Sequence, residues 1–385
     1  MLFPLLLATT GLTGLTQNLY GTISTNIQTA TGISAEGIGY VMSLGQAATV
    51  LAVFAYPTLV RRTGPYRALI LGCLGYALGF FLIGCARSVA LFAAAYTLWA
   101  IIQYPLAGSK FALMTHYDPA KKSPHLAEMH LCYSIVSIFN GFYVAFCKKH
   151  AWYLAFWQTG LLFALLGVGF ILARKEAEKI PAMIHHDTHG ESGLQDGFSL
   201  LADPAYLCYF PFIATAATAE GLSMVYPLMF IEQNLKASAD QVGLVVTLFF
   251  TGMTISRILV VCFFSRAKHP GAFLSGFATI ATICLARLSF STLSEAMVLM
   301  PVMGFAMGAI NPLCHVFSST LWNERIDQAM NMQSFGETAG KIVVPLLVGL
   351  AWKTNGGAFA VQAMGMLVAL GIVCFMASLV LLSKR

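Results

Sequence analysis

Residues 174–203 read RKEAEKIPAMIHHDTHGESGLQDGFSLLAD, the one substantial polar segment in an otherwise oily chain. Its surroundings decide its meaning. Of 385 residues, 58% are hydrophobic and only 10% charged, and the mean hydropathy is +0.74. A soluble globular domain carries roughly 25% charged residues, so a water-facing surface cannot be assembled from this composition. On both sides of the polar segment the apolar residues fall into runs of about 20, the length a helix needs to cross roughly 30 Å of hydrocarbon. Lipid is the solvent that fits.

Before the polar segment the runs span 2–25, 36–60, 67–86, 88–115, 127–147 and 151–173; after it they span 204–231, 239–264, 270–290, 294–321, 329–351 and 356–382. They are too long, and too rich in Leu, Ala and Gly, for strands. The expectation is an all-α membrane protein of twelve transmembrane helices in two six-helix halves. Residues 1–173 form the N-terminal half, 174–203 a cytoplasmic linker and 204–385 the C-terminal half. The run from Met1 lacks a basic leader and continues through Gly11, Gly14 and Gln17 past the length of a signal core, so it reads as the first span.

Charge placement gives an orientation. With both termini in the cytoplasm, the inner loops and tails hold thirteen Lys and Arg residues, among them Arg61, Arg62, Arg67, Arg174 and Arg325. The outer ends hold six: Arg87, Lys148, Lys149, Lys236, Arg287 and Lys353. That asymmetry has the sign the positive-inside rule requires. It also accounts for the net charge of +6 without invoking nucleic acid. Trp322 and Trp352 fall at span ends, where indole rings favour the interface. The nine cysteines are scattered with no CxxC pair and read as small apolar packing residues. In the polar segment His185, His186, Asp187 and His189 lack the spacing of a closed metal site, so no metal is expected.

Several segments resemble a known group. PTLVRRTGPYRALILG (57–72) is similar to the loop pattern Gly-x-x-x-Asp-Arg-x-Gly-Arg of the major facilitator superfamily. Arg62 and Gly64 match it, whereas Pro57 replaces the first Gly and Arg61 the Asp. HLAEMHLCYSIVSIFNG (125–141), AEGLSMVYPLMF (219–230) and GLVVTLFFTGMTISRILV (243–260) resemble the fucose permease-like branch of sugar–proton symporters. His130, Glu220 and Arg257 fall on its patterned positions, and GFAMGAINPLCHVFSS (304–319) and GETAGKIVVPLLVGL (336–350) resemble its tenth and eleventh spans. The resemblance implies the major facilitator fold, a central cavity lined by spans one, four, seven and ten, and structural roles for Arg61, Arg62, Gly64 and Arg257. Where sugar symporters of that branch carry acids in spans one and four, this chain has Asn18 and Gln103, which do not titrate. Proton coupling through those positions, and a sugar substrate, are therefore not implied.

A charge inside hydrocarbon costs roughly 2.5–3.5 kcal/mol on insertion scales, so each one requires a reason. Lys110 lies seven residues after Gln103 on nearly the same helical face; it either snorkels to the inner interface or faces solute. Glu337 and Lys341 stand one turn apart, with Gln333 a turn earlier; they either neutralise each other or line the cavity. Asn311, His315 and Ser318 form a polar stripe in span ten. Glu220 has no base near it in sequence, so it is either held by Arg257 or free to carry a proton. His130 either bridges inner loops or titrates.

The substrate-binding candidates are thus Asn18, Gln103, Lys110, Asn311, His315 and Lys341, and the proton-coupling candidates Glu220, Glu337 and His130. The expected function is a secondary active transporter working by alternating access. Its interior cations and histidines point to a small polar, anionic solute: an organic acid, an acidic sugar or a carboxylate-rich chelate. The alternatives are an efflux pump for hydrophobic compounds, disfavoured by the lack of a mid-membrane acid in the first half, or a non-transporting receptor. No HExxH, GxSxG or phosphate-loop motif suggests an enzyme. The expected partners are the solute, the lipid bilayer and coupled protons, with no cofactor and no nucleic acid. A monomer in a bacterial cytoplasmic membrane completes the expectation.

Overall fold

The structure, a computed structural model, describes residues 2–16, 18–117, 122–180, 198–263 and 269–384. Among these residues every regular element is helical. Nine helical runs among the described residues are long and apolar enough to cross a membrane, and residues such as Leu51, Leu172 and Val373 are 69%, 72% and 66% exposed. Such exposure of large aliphatic side chains is stable where hydrocarbon is the neighbour. The chain is an integral membrane protein.

Its contacts divide it into two compact units, Met1–Ser34 with Val41–His189, and Ala35–Tyr40 with Gly190–Arg385. In the first unit, α1 (Leu2–Thr16), α2 (Leu19–Thr22) and α3 (Ser24–Thr31) make up the opening run. They are followed by α4 (Ala35–Thr63), whose opening residues Ala35–Tyr40 group with the second unit, then α5 (Pro65–Cys85), α6 (Val89–Tyr117), α7 (Lys122–Ile138), α8 (Asn140–His150), α9 (Leu154–Leu172) and the single turn α10 (Arg174–Ala177). Helix α4 and helix α5 meet at Gly64, whose φ of 78° only glycine adopts without strain. Tyr76 packs on Phe163 at 4.5 Å and Phe80 stacks on Trp99 at 5.8 Å, which locks α5 between α6 and α9.

The second unit starts with α11 (Pro204–Phe212), a π-helical turn Ile213–Ala217, α12 (Thr218–Leu222) and α13 (Tyr226–Gln233). Then come α14 (Ala239–Cys262), α15 (Pro270–Leu288), α16 (Leu293–Leu321) and α17 (Ile326–Leu382). Asp203 caps α11 by accepting from Ala205 N at 3.0 Å, and its other oxygen accepts from Trp322 Nε1, also at 3.0 Å. Trp322, the residue that ends α16, is buried against this unit, 6% exposed. Ser238 and Thr292 start α14 and α16 with reciprocal capping boxes to Gln241 and Glu295. Gly304 lets α16 approach the Phe249 carbonyl so closely that a Cβ there would collide with α14.

Helix α17 is 57 residues long, about 85 Å at 1.5 Å per residue, far more than one crossing requires. Gly356, with φ 80° and ψ −179°, is non-helical and divides it. The division falls where the sequence predicts a boundary between two spans. All nine cysteines are free.

Candidate functional site

Two expected spans, 2–25 and 204–231, are not continuous helices. Helix α1 ends at Thr16, and Asn18 takes φ −107°, ψ 5° before α2 begins. A second interruption follows at Ile23, with φ −108° and ψ 8°. Interrupting a helix at membrane depth strands backbone carbonyls, which must find donors inside the protein. Here Asn140 Nδ2 donates to the Leu15 carbonyl, and Ser137 Oγ lies 3.0 Å from the Gly14 carbonyl. In the second unit the opening run carries the π-helical turn and a further break at Val225, with φ −114° and ψ −82°. Each unit thus opens on a broken segment. Gly-interrupted segments at corresponding positions of two halves mark the solute path in transporter folds built from repeats.

In the first unit, Lys110 sits about two turns from the end of α6 and is 8% exposed. Its Nζ donates to Thr13 Oγ1 on α1 at 3.0 Å. Among the described residues it forms no ion pair. It points into the unit, so the snorkelling alternative is not what the structure adopts. Beside it Ser109 is fully buried and its hydroxyl lies 3.2 Å from Tyr56 OH. Gln103 is half-buried, just before Pro105 in the same helix and without a hydrogen bond among the described residues. Pro105 removes the donor that would meet the Ile101 carbonyl, so this stretch of α6 carries spare polarity. Asn18, Thr13 and Lys110 all belong to, or touch, the opening run.

In the second unit, Arg257 Nη2 donates to Glu220 Oε1 at 2.8 Å, with side chains 20% and 19% exposed. Of the two alternatives for Glu220, it is the one held by Arg257. Glu337 and Lys341 lie within electrostatic reach of the same carboxylate. Glu337 and Lys341 do not pair with each other. Instead Glu337 Oε1 accepts from Gln333 Nε2 at 3.4 Å, and Lys341 is exposed.

Gln333 is fully buried and acts as a hub: Ser318 Oγ donates to its Oε1 at 3.3 Å, and its Nε2 is 3.5 Å from Asn311 Oδ1. His315 stands apart from this network, exposed, with Nδ1 3.3 Å from Met330 Sδ. The polar stripe Asn311–His315–Ser318 is therefore split, two members bonding to Gln333 and the third exposed beside Met330.

Arg61 and Arg62 are exposed, and among the described residues Arg61 reaches Thr58 Oγ1 alone, at 3.3 Å. The backbone of His130 lies in α7, but its side chain falls outside the described residues, as do the linker residues His185, His186, Asp187 and His189. Three participants were not singled out as site residues from sequence. Thr13 carries no signal of its own, since a threonine in an apolar helix commonly bonds its own backbone. Gln333 was visible only as a neighbour of Glu337. Glu36 opens α4, and its carboxylate accepts from Tyr40 OH and pairs with Lys353 Nζ at 2.9 Å.

Residues 205–385, slightly under half of the chain, match the family profile described as Major Facilitator Superfamily. No curated protein sequence matches the chain. Among solved structures, a substituted form of the nucleoside transporter NupG aligns with TM-score 0.82 at 12% identity, covering 99% of this chain and 100% of that one. A bacterial homolog of the human lysosomal transporter Spinster, in an inward-facing and occupied conformation, aligns with TM-score 0.73 at 13% identity over 100% and 97% of the two chains. NupG without the substitution gives 0.73 at 14% identity over 100% and 98%. The chain has the major facilitator fold.

Proposed function

We propose that this protein is a secondary active transporter that carries a small polar, anionic solute by alternating access. The observation that carries the reading is Lys110: a buried cation on α6 whose one hydrogen-bond partner is the Thr13 hydroxyl and which has no acid in ion-pair distance among the described residues. Burying a charge without a counter-charge is costly, and a carboxylate-bearing solute supplies the counter-charge when it binds. Asn18 and Gln103 lie in the same unit with polar groups to orient such a solute. Asn311, His315 and Lys341 are the candidates of the second unit, with Lys341 exposed and free of Glu337.

The Glu220–Arg257 pair and Glu337 are the coupling candidates, together with His130. Protonation of Glu220 would release Arg257, and the neighbouring Glu337 offers an alternative partner. In this way a proton can change which charges are satisfied. The likeness of residues 125–141 and 219–260 to the fucose permease-like branch supports a carrier, and because Asn18 and Gln103 stand where that branch has acids, coupling falls to the groups of the second unit and His130. We place the protein in a bacterial cytoplasmic membrane with both termini in the cytoplasm, on the strength of its loop charges.

The test is uptake into proteoliposomes under an imposed proton gradient, across organic acids, acidic sugars, chelates and neutral nucleosides. The solved neighbours are named for nucleosides and for a lysosomal transporter, so the nucleoside arm discriminates. Accumulation of an anionic solute that is lost in Lys110→Met is expected. Transport of neutral solutes alone, unchanged in that variant, overturns the anionic assignment.

A further inference from the structure

Away from the broken segments, the first unit holds a cavity of about 130 Å³ where the start of α5 meets the end of α9 and the turn α10. Its wall contains two arginines and one acid, Arg67, Arg174 and Glu178, and the apolar sides are Tyr66, Ile70 and Ile171. Arg174 Nε donates to Glu178 Oε1 at 2.8 Å, which accounts for the single carboxylate. Arg67 makes no hydrogen bond or ion pair among the described residues. The cavity therefore carries one uncompensated guanidinium and a second whose terminal amino groups remain available. The back of the cavity is fixed, because Tyr66 OH donates to the Phe170 carbonyl and the two rings meet edge-on at 6.1 Å.

The cavity's setting selects its occupant. Ile171 is 51% exposed, and the neighbouring Leu172 and Leu71 are 72% and 51% exposed, so the apolar side faces hydrocarbon. The loop charges assign this end of the unit to the cytoplasmic leaflet, which is rich in anionic lipid. An arginine fork matches the oxygens of a phosphate in two-point contact. A site with paired arginines on one side and membrane-facing aliphatic groups on the other suits a headgroup that arrives attached to acyl chains.

We propose that this cavity binds the phosphate group of an anionic membrane phospholipid, held between Arg67 and Arg174, with the acyl chains lying over Ile171 and Leu172. Glu178 competes with the phosphate for Arg174 and so weakens the site. The proposal rests on the orientation read from the loop charges and is independent of which solute the protein carries.

Native mass spectrometry of the full chain, released from detergent in the presence of phosphatidylglycerol or phosphatidylcholine of matched acyl chains, tests it. The wild type is expected to retain phosphatidylglycerol preferentially. Arg67→Gln and Arg174→Gln should each reduce that retention about fivefold, the equivalent of one basic side chain at an anionic surface. Glu178→Gln should increase it, and Arg61→Gln, outside the cavity, should leave it unchanged. Equal retention of both lipids by the wild type overturns the proposal without reference to any variant, and so does unchanged preference in the Arg67→Gln/Arg174→Gln double variant. Displacement of the lipid by inorganic phosphate at millimolar concentration would assign the site to a soluble anion and overturn the lipid assignment. None of these readouts involves transport, so they separate this proposal from the assignment of solute.

Discussion

The two units treat charge in opposite ways. In the first, Lys110 is buried among apolar helices with a hydroxyl for company. In the second, Glu220, Arg257, Glu337 and Lys341 stand near one another, and the one salt bridge among them, Glu220–Arg257, is joined by a buried amide network through Gln333. A charge without a partner is a cost that the fold alone does not recover. A set with balanced signs is largely self-satisfied and can rearrange without exposing net charge. The contrast teaches that burial of ionisable groups does not by itself indicate one role. Lys110 has the character of a group waiting for a ligand, and the Glu220 cluster that of a group able to exchange partners.

The sharpest way to break this contrast is Lys110→Met. Anionic solute uptake should fall about 100-fold, the loss expected when one member of a buried charge contact worth roughly 2–5 kcal/mol is removed. Thermal stability should rise, because the uncompensated charge is gone. A fall in melting temperature together with full uptake would show that Lys110 is structural.

Next in size is Glu220→Gln. Proton-driven accumulation should vanish while solute counterflow persists, measured in the same vesicles. Stability should drop by about 1–2 kcal/mol, below the roughly 3–5 kcal/mol of a fully buried pair, because the side chains keep 20% and 19% exposure. Loss of counterflow as well would place Glu220 in solute binding.

A smaller effect is expected of Gln333→Leu. Its hydrogen bonds are long, 3.3–3.5 Å, and removal should cost about 1 kcal/mol, read as a modest fall in melting temperature with uptake retained. The smallest is Lys353→Met. That side chain is 63% exposed in its pair with Glu36, and an exposed pair contributes little, so no measurable change in melting temperature is expected.

Much of the architecture was legible beforehand because hydrocarbon imposes a length and a composition on each crossing. The boundaries at Ala35, Pro65, Val89, Ala239, Pro270 and Leu293 lie close to those read from the apolar runs. The breaks after Thr16 and at Val225 were not legible. An interruption at membrane depth depends on donors such as Ser137 and Asn140, more than a hundred residues away, being delivered to the freed carbonyls. The pairing of Glu337 with Lys341 looked natural from helical spacing, yet Gln333 on the same stripe holds the carboxylate and Lys341 stays apart. Helical periodicity restricts which neighbours can meet; it does not choose among them.

The amino-acid order alone determined that this chain lives in lipid, that it is helical, that a polar segment divides it, and which rare ionisable residues sit in oily surroundings. These follow from transfer energies, which depend on residue type and run length. Only the tertiary structure decided that Lys110 reaches Thr13, that Glu220 is held by Arg257, and that Arg67 and Arg174 share a cavity. Those outcomes depend on which helices touch and at what angle, because electrostatic energy falls off over a few ångströms while the sequence separates the partners by tens of residues.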